Sequence, residues 1–436
     1  MMKITFIGAG STVFVKNVIG DCILTPELGA FDVCLFDIDP KRLEESYQLL
    51  NNINTTANGK AHITRTLDRT EAFTGADFVV NAVQVGGYDP CTITDFEIPK
   101  KYGLRQTIAD TLGIGGIFRA LRTIPVMKDY ANDMERLCPN ALLLNYTNPM
   151  AMLTGYLQRY TRIKTVGLCH SVQVCANGLL NVVGMNEYEN NCRWEIAGIN
   201  HQAWLLKITD LAGNDLYPEI KRRACSPDYN KDGNDLVRLE IMKRFGYYIT
   251  ESSEHTSEYT PWFIKERYPE LIDRFKIPLD EYPRRCIAQI KWWNDTSDSL
   301  VNNPHIEHQK THEFASYIIK AILTDEPYRI HGNVLNTGLI TNLPQNACVE
   351  VPVMVDRNGL NPCFVGDLPE QCAAINRTNI NPQLLTIQAA ESLRKEDVYM
   401  AAALDPHTAA ELSLDDIVSM CNDLFEAHKG WMPEYH

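Results

Sequence analysis

The first 190 residues alternate short apolar runs with amphipathic stretches, the pattern of strands buried on both faces with helices packed over them. Lys3 to Ile7 reads as the opening strand, Gly8-Ala9-Gly10-Ser11 as a tight glycine turn, and the residues beyond as a helix ending near Thr25-Pro26. Asp32 to Phe36 is the next strand, Pro40 to about Asn52 its helix, Ala61 to Arg65 a third extended segment and Ala76 to Val83 a fourth. A second glycine turn, Gln84-Val85-Gly86-Gly87, closes that strand, and Thr107 to Gly113 precedes a helix from about Gly116 to Leu137 with a kink expected at Pro125. Ala141 to Leu144 and Thr165 to Leu168 complete the set. Such alternation predicts an α/β fold, with a Rossmann-type doubly wound parallel sheet over 1–190.

Past Asn190 the texture changes. Cys192 to Ile199 and Ala203 to Thr209 are apolar runs flanking Asn200-His201, a second pair of strands lies around Ala347 to Val355, and Asp356-Arg357-Asn358-Gly359 reads as a hairpin turn. Helical periodicity returns over Asn381 to Leu404 and Ser413 to His428. An α+β domain over 191–436 follows from this reading, and no internal repeat or low-complexity tract interrupts it.

Composition narrows the partners. A net charge of −14 leaves no basic face for nucleic acid or an anionic membrane, so a small molecule is the expected ligand. Thirteen cysteines without any C-x-x-C pair fit a reducing compartment, and the amino terminus runs into a strand without a cleavable apolar segment; the expectation is a cytoplasmic protein.

Candidate chemistry collects at strand ends, where open α/β sheets bind ligands. Gly8, Gly10 and Ser11 form a turn whose amides can approach a pyrophosphate, although Val13 stands where the full G-x-G-x-x-G fingerprint has glycine. Asp37, at the end of the second strand, is the candidate acceptor for a ribose hydroxyl, favouring NAD over NADP; Asp39-Pro40 reads as a helix cap. Asn145-Tyr146-Thr147-Asn148-Pro149-Met150 and Leu168-Cys169-His170-Ser171 follow two further strands. A thiol beside an imidazole can bind a divalent metal, or one can bind while the other moves protons, whereas a lone cysteine is ordinarily a small buried hydrophobe.

With Ala197-Gly198-Ile199-Asn200-His201 added, these motifs resemble glycoside hydrolase family 4, the NAD- and metal-dependent glycosidases, over essentially the whole chain. Thr250-Glu251-Ser252-Ser253-Glu254-His255, Asp280-Glu281-Tyr282-Pro283-Arg284-Arg285, Asn342-Leu343-Pro344 and Asp405-Pro406-His407-Thr408 resemble its α-galactosidase branch. The resemblance implies a fold like that of lactate and malate dehydrogenases, and an exception to paired-carboxylate glycoside hydrolysis. NAD oxidises C3 of the sugar, a base removes the acidified C2 proton, the C1 substituent is eliminated, water adds, and the steps reverse; a divalent metal polarises the C3 carbonyl. On this resemblance Cys169 and His201 hold Mn2+, His170 protonates the leaving oxygen, Asn148 contacts a substrate hydroxyl and Asp110 lies near the base. Tyr259 is the nearest match to the base, with Glu251, Glu254 and His255 as rivals, and Arg285 the nearest match to a sugar contact, with Arg284 beside it. An unphosphorylated α-galactoside of the melibiose or raffinose type is the expected substrate, with α-glucoside and α-galacturonide as alternatives, and the family's dimers and tetramers imply a homo-oligomer. A 2-hydroxy-acid dehydrogenase on the same fold and a conventional two-carboxylate hydrolase are the competing classes.

Overall fold

The computed structural model describes residues 1–436 except 227, 230–232 and 234. Its strands are β1 (Lys3–Ile7), β2 (Phe31–Phe36), β3 (Ala61–Thr66), β4 (Phe78–Asn81), β5 (Leu142–Asn145), β6 (Lys164–Leu168), β7 (Cys192–Ile199), β8 (Gln202–Asp210), β9 (Tyr248–Ile249), β10 (Tyr328–Leu335), β11 (Cys348–Asp356) and β12 (Gly359–Pro362). The first six pair in parallel in the order β3-β2-β1-β4-β5-β6, the doubly wound order expected of a dinucleotide-binding fold. Apolar runs buried on both faces produce it: β4 and β5 are buried at every residue.

The sheet does not end at β6. β10 runs antiparallel to it, β11 pairs with β10, and β11 leads into the antiparallel strands β7, β8 and β9, giving one continuous sheet. Strand β10 was not singled out by its sequence, yet it joins the two halves. The expected hairpin at Asp356 to Gly359 is present and returns the chain as β12.

Two helical expectations change in detail. The helix Gly113–Leu137 begins earlier than Gly116 and continues through Pro125 without a break. The pattern over Asn381 to Leu404 is the end of one helix, Glu370–Ser392, and a second, Lys395–Ala403, divided where Leu393 turns left-handed at φ +56°. The apolar periodicity passes over that break because Leu393 still packs against the core.

Buried polar groups fix the strand ends. Asn81 donates to Asn145 Oδ1 at 2.8 Å and to Thr147 Oγ1 at 3.2 Å, holding the turn after β5 against β4. Asp21, fully buried, accepts from Thr311 N (2.8 Å) and Thr311 Oγ1 (2.6 Å) and pairs with His308 Nε2 (2.8 Å). These contacts clamp the segment leading to Glu313 onto the helix Thr12–Ile23. Burial opposes the Asp21 charge, but the His308 and Thr311 hydrogen bonds outweigh it and hold the carboxyl below its ordinary range.

Asp21→Asn is therefore expected to cost about 2–3 kcal/mol at neutral pH. Because the folded-state pKa is depressed, this contribution is present above the unfolded value and lost as pH falls, so the gap between wild type and variant should close below about pH 4. Urea denaturation of both proteins at several pH values measures it.

Candidate active site

The glycine turn comes first. Gly8 N and Ala9 N donate to Phe36 O at 3.0 and 3.1 Å, and Gly8 takes φ +82° with its α-carbon so close to β4 that a Cβ would lie 2.8 Å from the Ala82 carbonyl carbon. Gly10 N donates to Asp37 Oδ2 at 2.6 Å, and Asp39 N to Asp37 Oδ1 at 2.9 Å. The turn and Asp37 thus face each other at the strand ends, while Asp39 caps its helix through Lys41 N and Arg42 N as expected. Beside them opens a cleft of about 390 Å³ whose lining includes Ser11, Asp110, Asn148, Cys169 and His170. Asn148 Oδ1 also accepts from Met150 N at 3.2 Å, so this residue shapes its turn as well as lining the cleft.

Where Cys169 lines the cleft, two sequence-distant residues that do not line it, His201 and Glu251, converge on the thiol. Cys169 follows β6, His201 occupies the turn between β7 and β8, and Glu251 follows β9; one ligand-type atom from each lies within 4.8 Å of the others. Glu251 Oε2 is 3.4 Å from His201 Nε2. His201 and Glu251 are held left-handed, at φ +62° and +68°, a strained backbone for side chains of this size that tertiary structure must enforce. Burial alone would discharge His201, but Glu251 and Cys169 outweigh it and push the imidazole up to about 10. A proton on that ring and a divalent cation are alternative answers to the same anionic surroundings, and thiolate, imidazole and carboxylate are all metal ligands; the residues fit a metal. Glu251, expected only as a rival base, stands in the group that could hold a metal ion.

Tyr259 is fully buried with its hydroxyl 3.2 Å from His201 Nδ1. Burial, reinforced by Asp110, Glu258 and Glu251, holds the phenol well above its ordinary range. His255 stands edge-on to His201, ring centroids 4.9 Å apart, with Nε2 3.7 Å from Asp110 Oδ1 and Nδ1 3.7 Å from Glu251 Oε1. Burial opposes the charge on Asp110, yet His255 and Arg119 keep its carboxyl far below the usual range. On the other side of the cleft, His170 Nε2 lies 2.9 Å from Glu313 Oε2, and its ring stacks on Phe314. That hydrogen bond raises the imidazole against the opposing effect of burial.

Arg285 is not among the residues lining the cleft. On the helix Glu281–Val301 it falls one turn after Glu281 and pairs with it at 2.9 Å, and with Glu254 at 3.3 Å. Arg284 is tied to Glu281 as well. The arginine that reaches the cleft is Arg119, 7% exposed and set beside Tyr282. Its sequence offers no signal, since it sits within an apolar helix; Glu313 likewise becomes visible only once the fold brings it to His170.

One buried carboxylate holds the floor together. Glu258 accepts from the backbone N–H groups of Thr107 (2.8 Å), Ile108 (3.2 Å) and Ala109 (2.9 Å). It thereby fixes the loop that presents Asp110 to the helix Ser253–Glu258, which carries His255 and leads into Tyr259. Ala109 is itself left-handed, at φ +54°.

A doubly wound sheet with a glycine turn, and a thiol–imidazole–carboxylate cluster across the cleft from it, define a dehydrogenase-like α/β enzyme built around a nucleotide and a metal. Residues 3–185 match the model of the family 4 glycosyl hydrolases and residues 196–408 that of their C-terminal domain. The chain belongs to this family, and is a glycosidase. It is 60% identical over 435 residues, 100% of both chains, to an α-galactosidase of Bacillus subtilis. It superposes on the 6-phospho-β-glucosidase of Thermotoga maritima, solved with manganese, NAD+ and glucose-6-phosphate, with TM-score 0.80 at 20% identity, covering 100% of each chain. The malate dehydrogenase of Cryptosporidium parvum follows at TM-score 0.54 and 15% identity, covering 90% of this chain and 99% of that one. The expected Rossmann-type sheet followed by an α+β part is thus the fold observed.

Replacing Glu258 by Gln turns an amide N–H2 toward backbone donors. The expected loss is about 2–3 kcal/mol of stability, together with activity lowered more than Tm alone accounts for, because Asp110 and Tyr259 lose their common support. Thermal denaturation alongside turnover of folded enzyme checks this.

Proposed function

We propose that the protein hydrolyses terminal α-D-galactosides by the NAD- and Mn2+-dependent route of its family, with an unphosphorylated, uncharged sugar as substrate. The observation that carries the sugar class is the state of the cleft cations. Among the described residues lining it, the only cationic side chains are Arg119 and His170. Arg119 is engaged by Tyr282 and Asp110, and His170 by Glu313. Neither is left over for a sugar phosphate or uronate, so the charge balance favours a neutral hexoside. The name of the Bacillus subtilis relative, an α-galactosidase, supports the same choice.

Cys169, His201 and Glu251 would hold the metal, and Gly8, Gly10, Ser11 and Asp37 the dinucleotide. When bound, NAD accepts and returns the hydride, and the metal supplies positive charge next to Tyr259 and polarises a sugar oxygen. The chain's own residues divide the remaining work. His170, its imidazole raised by the hydrogen bond to Glu313, is suited to protonate the leaving oxygen. Tyr259, stacked on His201 with its hydroxyl against that ring, is suited to take the C2 proton, and Asp110 through His255 fixes the geometry around it. Asn148 serves a substrate hydroxyl from the cleft wall. Arg285 lies outside the cleft lining and is tied to Glu281 and Glu254; Arg119, although its charge is met by Asp110, already lines the cleft and can still donate to a neutral sugar hydroxyl, so it is the better candidate for that contact.

The division near residue 190 into a dinucleotide half and a substrate and metal half is supported by the separate family matches on either side. Free thiols at all thirteen cysteines favour a cytoplasmic setting. No helix among the described residues is long and apolar enough to cross a membrane. The homo-oligomer finds support in the helix Glu281–Val301, where Val301 alone is buried and Ile287, Ile290 and Trp292 are 56%, 48% and 46% exposed.

The test is cleavage of an aryl α-galactoside by cofactor-stripped enzyme under reducing conditions, with NAD and Mn2+ added separately and together. Activity is expected only with both and without net NADH, and the aryl α-galacturonide should be turned over at least about a hundredfold less efficiently, the scale of a missing charged partner. Full activity without NAD would sink the mechanism. Light scattering should report a mass above that of one chain; a monomer at micromolar concentration would remove the oligomer from this reading.

A further inference from the structure

Beneath the cluster of Cys169, His201 and Glu251 a polar row crosses the middle of the sheet. Gly167 on β6 registers with Asn333 on β10, Asn333 with Glu350 on β11, and Glu350 with Gly198 on β7. Gly167 lies two residues before Cys169, and Gly198 three before His201. Asn333 Nδ2 donates to Gly167 O at 3.3 Å and to Glu350 Oε1 at 3.1 Å, both partners buried. Asn333 and Glu350 are 0% exposed.

A carboxyl and an amide at the centre of a sheet are costly unless they serve a purpose, since apolar residues would fill the same space more stably. The pair is also only partly satisfied: Glu350 Oε2, Asn333 Oδ1 and both amide atoms of Asn200 have no hydrogen-bond partner. Asn200, the residue before His201, still lies near enough to Glu350 to favour its charged form, though short of a well-formed hydrogen bond. The two strand ends that carry the cluster are therefore joined below it by polar side chains of intervening strands.

We propose that Glu350, through Asn333 and Asn200, is a positioning residue for the metal: it sets the separation of the Cys169 strand end from the His201 turn. This rests on the metal reading given above. Burial pushes the Glu350 carboxyl up to about 7, so a neutral amide of the same shape is a fair replacement. Gln can accept from Asn333 and donate toward Asn200, whereas Ala leaves Asn333 and Asn200 without the group between them.

The experiment is titration of NAD-loaded, metal-stripped enzyme with MnCl2, read by the EPR signal of free Mn2+, on wild type, Cys169→Ser, Glu350→Gln and Glu350→Ala, with NAD affinity and Tm measured in parallel. Glu350→Ala should weaken Mn2+ about tenfold or more, the usual loss when a group supporting a metal ligand is removed, with NAD affinity kept; Glu350→Gln should restore Mn2+ binding close to wild type. A merely structural Glu350 would lower Tm and leave the Mn2+ affinity of the folded protein unchanged, which overturns the inference. If Glu350→Ala does not fold, Asn333→Ser cuts the same link from the other strand, with the same expected loss and the same overturning result. Wild type that takes up no Mn2+, or Cys169→Ser that binds it normally, would overturn the metal reading itself.

Discussion

A single carboxylate with three backbone amides around it is the constraint on which the cleft depends. Glu258 forms no ion pair among the described residues; burial pushes its carboxyl up, while nearby His255 and the N–H groups of consecutive residues in a loop that includes a left-handed alanine act the other way. Such an arrangement is local in space and remote in sequence, and it fixes with one group both the loop before Asp110 and the helix before Tyr259. The loop's other side is secured by Asp280 N and Tyr282 N, which donate to Gln106 O and Thr107 O at 2.9 and 3.0 Å. Asp110, Tyr259 and Tyr282 are consequently members of one rigid assembly, a condition for chemistry that requires base, acid and hydride acceptor to face one sugar ring.

The electrostatics of the site follow from that rigidity. Glu251, Asp110 and Cys169 surround His201, and Glu313 takes His170. Ionised groups this deeply buried are costly unless opposite charge meets them, and thiol, imidazole and carboxylate together are a donor set that suits a divalent cation. Burial, with Asp110, Glu258 and Glu251 adding to it, is what holds the phenol of Tyr259 so high. A cation held by Cys169, His201 and Glu251 would lower the same phenol, so its binding and the basicity of Tyr259 would be coupled.

Much of this was legible in the sequence, for identifiable reasons. The doubly wound half declares itself through apolar runs of strand length separated by helical periodicity, and Gly8, Gly10 and Asp37 meet because the glycine turn and the second strand end are local features. Cys169 and His201 stand in recognisable motifs. Glu251 was visible only as one of several acids, since its approach to His201 depends on a left-handed turn after a two-residue strand that propensity does not encode. Arg285 looked eligible by motif, but helix geometry gave it to Glu281 and Glu254. The join made by β10 was hidden because strand pairing across so long a stretch of chain leaves no local mark.

That join has a bearing on how the molecule comes into being. Cys169 and His201 are near neighbours along the chain, but the strands that lie between them in the sheet belong to residues 328–356. The amino-terminal βα units and the β7–β8 hairpin are each built from neighbouring segments, whereas joining that hairpin to β6 requires β10 and β11, a much later stretch, to lie between them. The glycine turn and Asp37 thus come together within the first 37 residues, whereas the observed spacing of Cys169 and His201 depends on strands that the chain supplies only after residue 328.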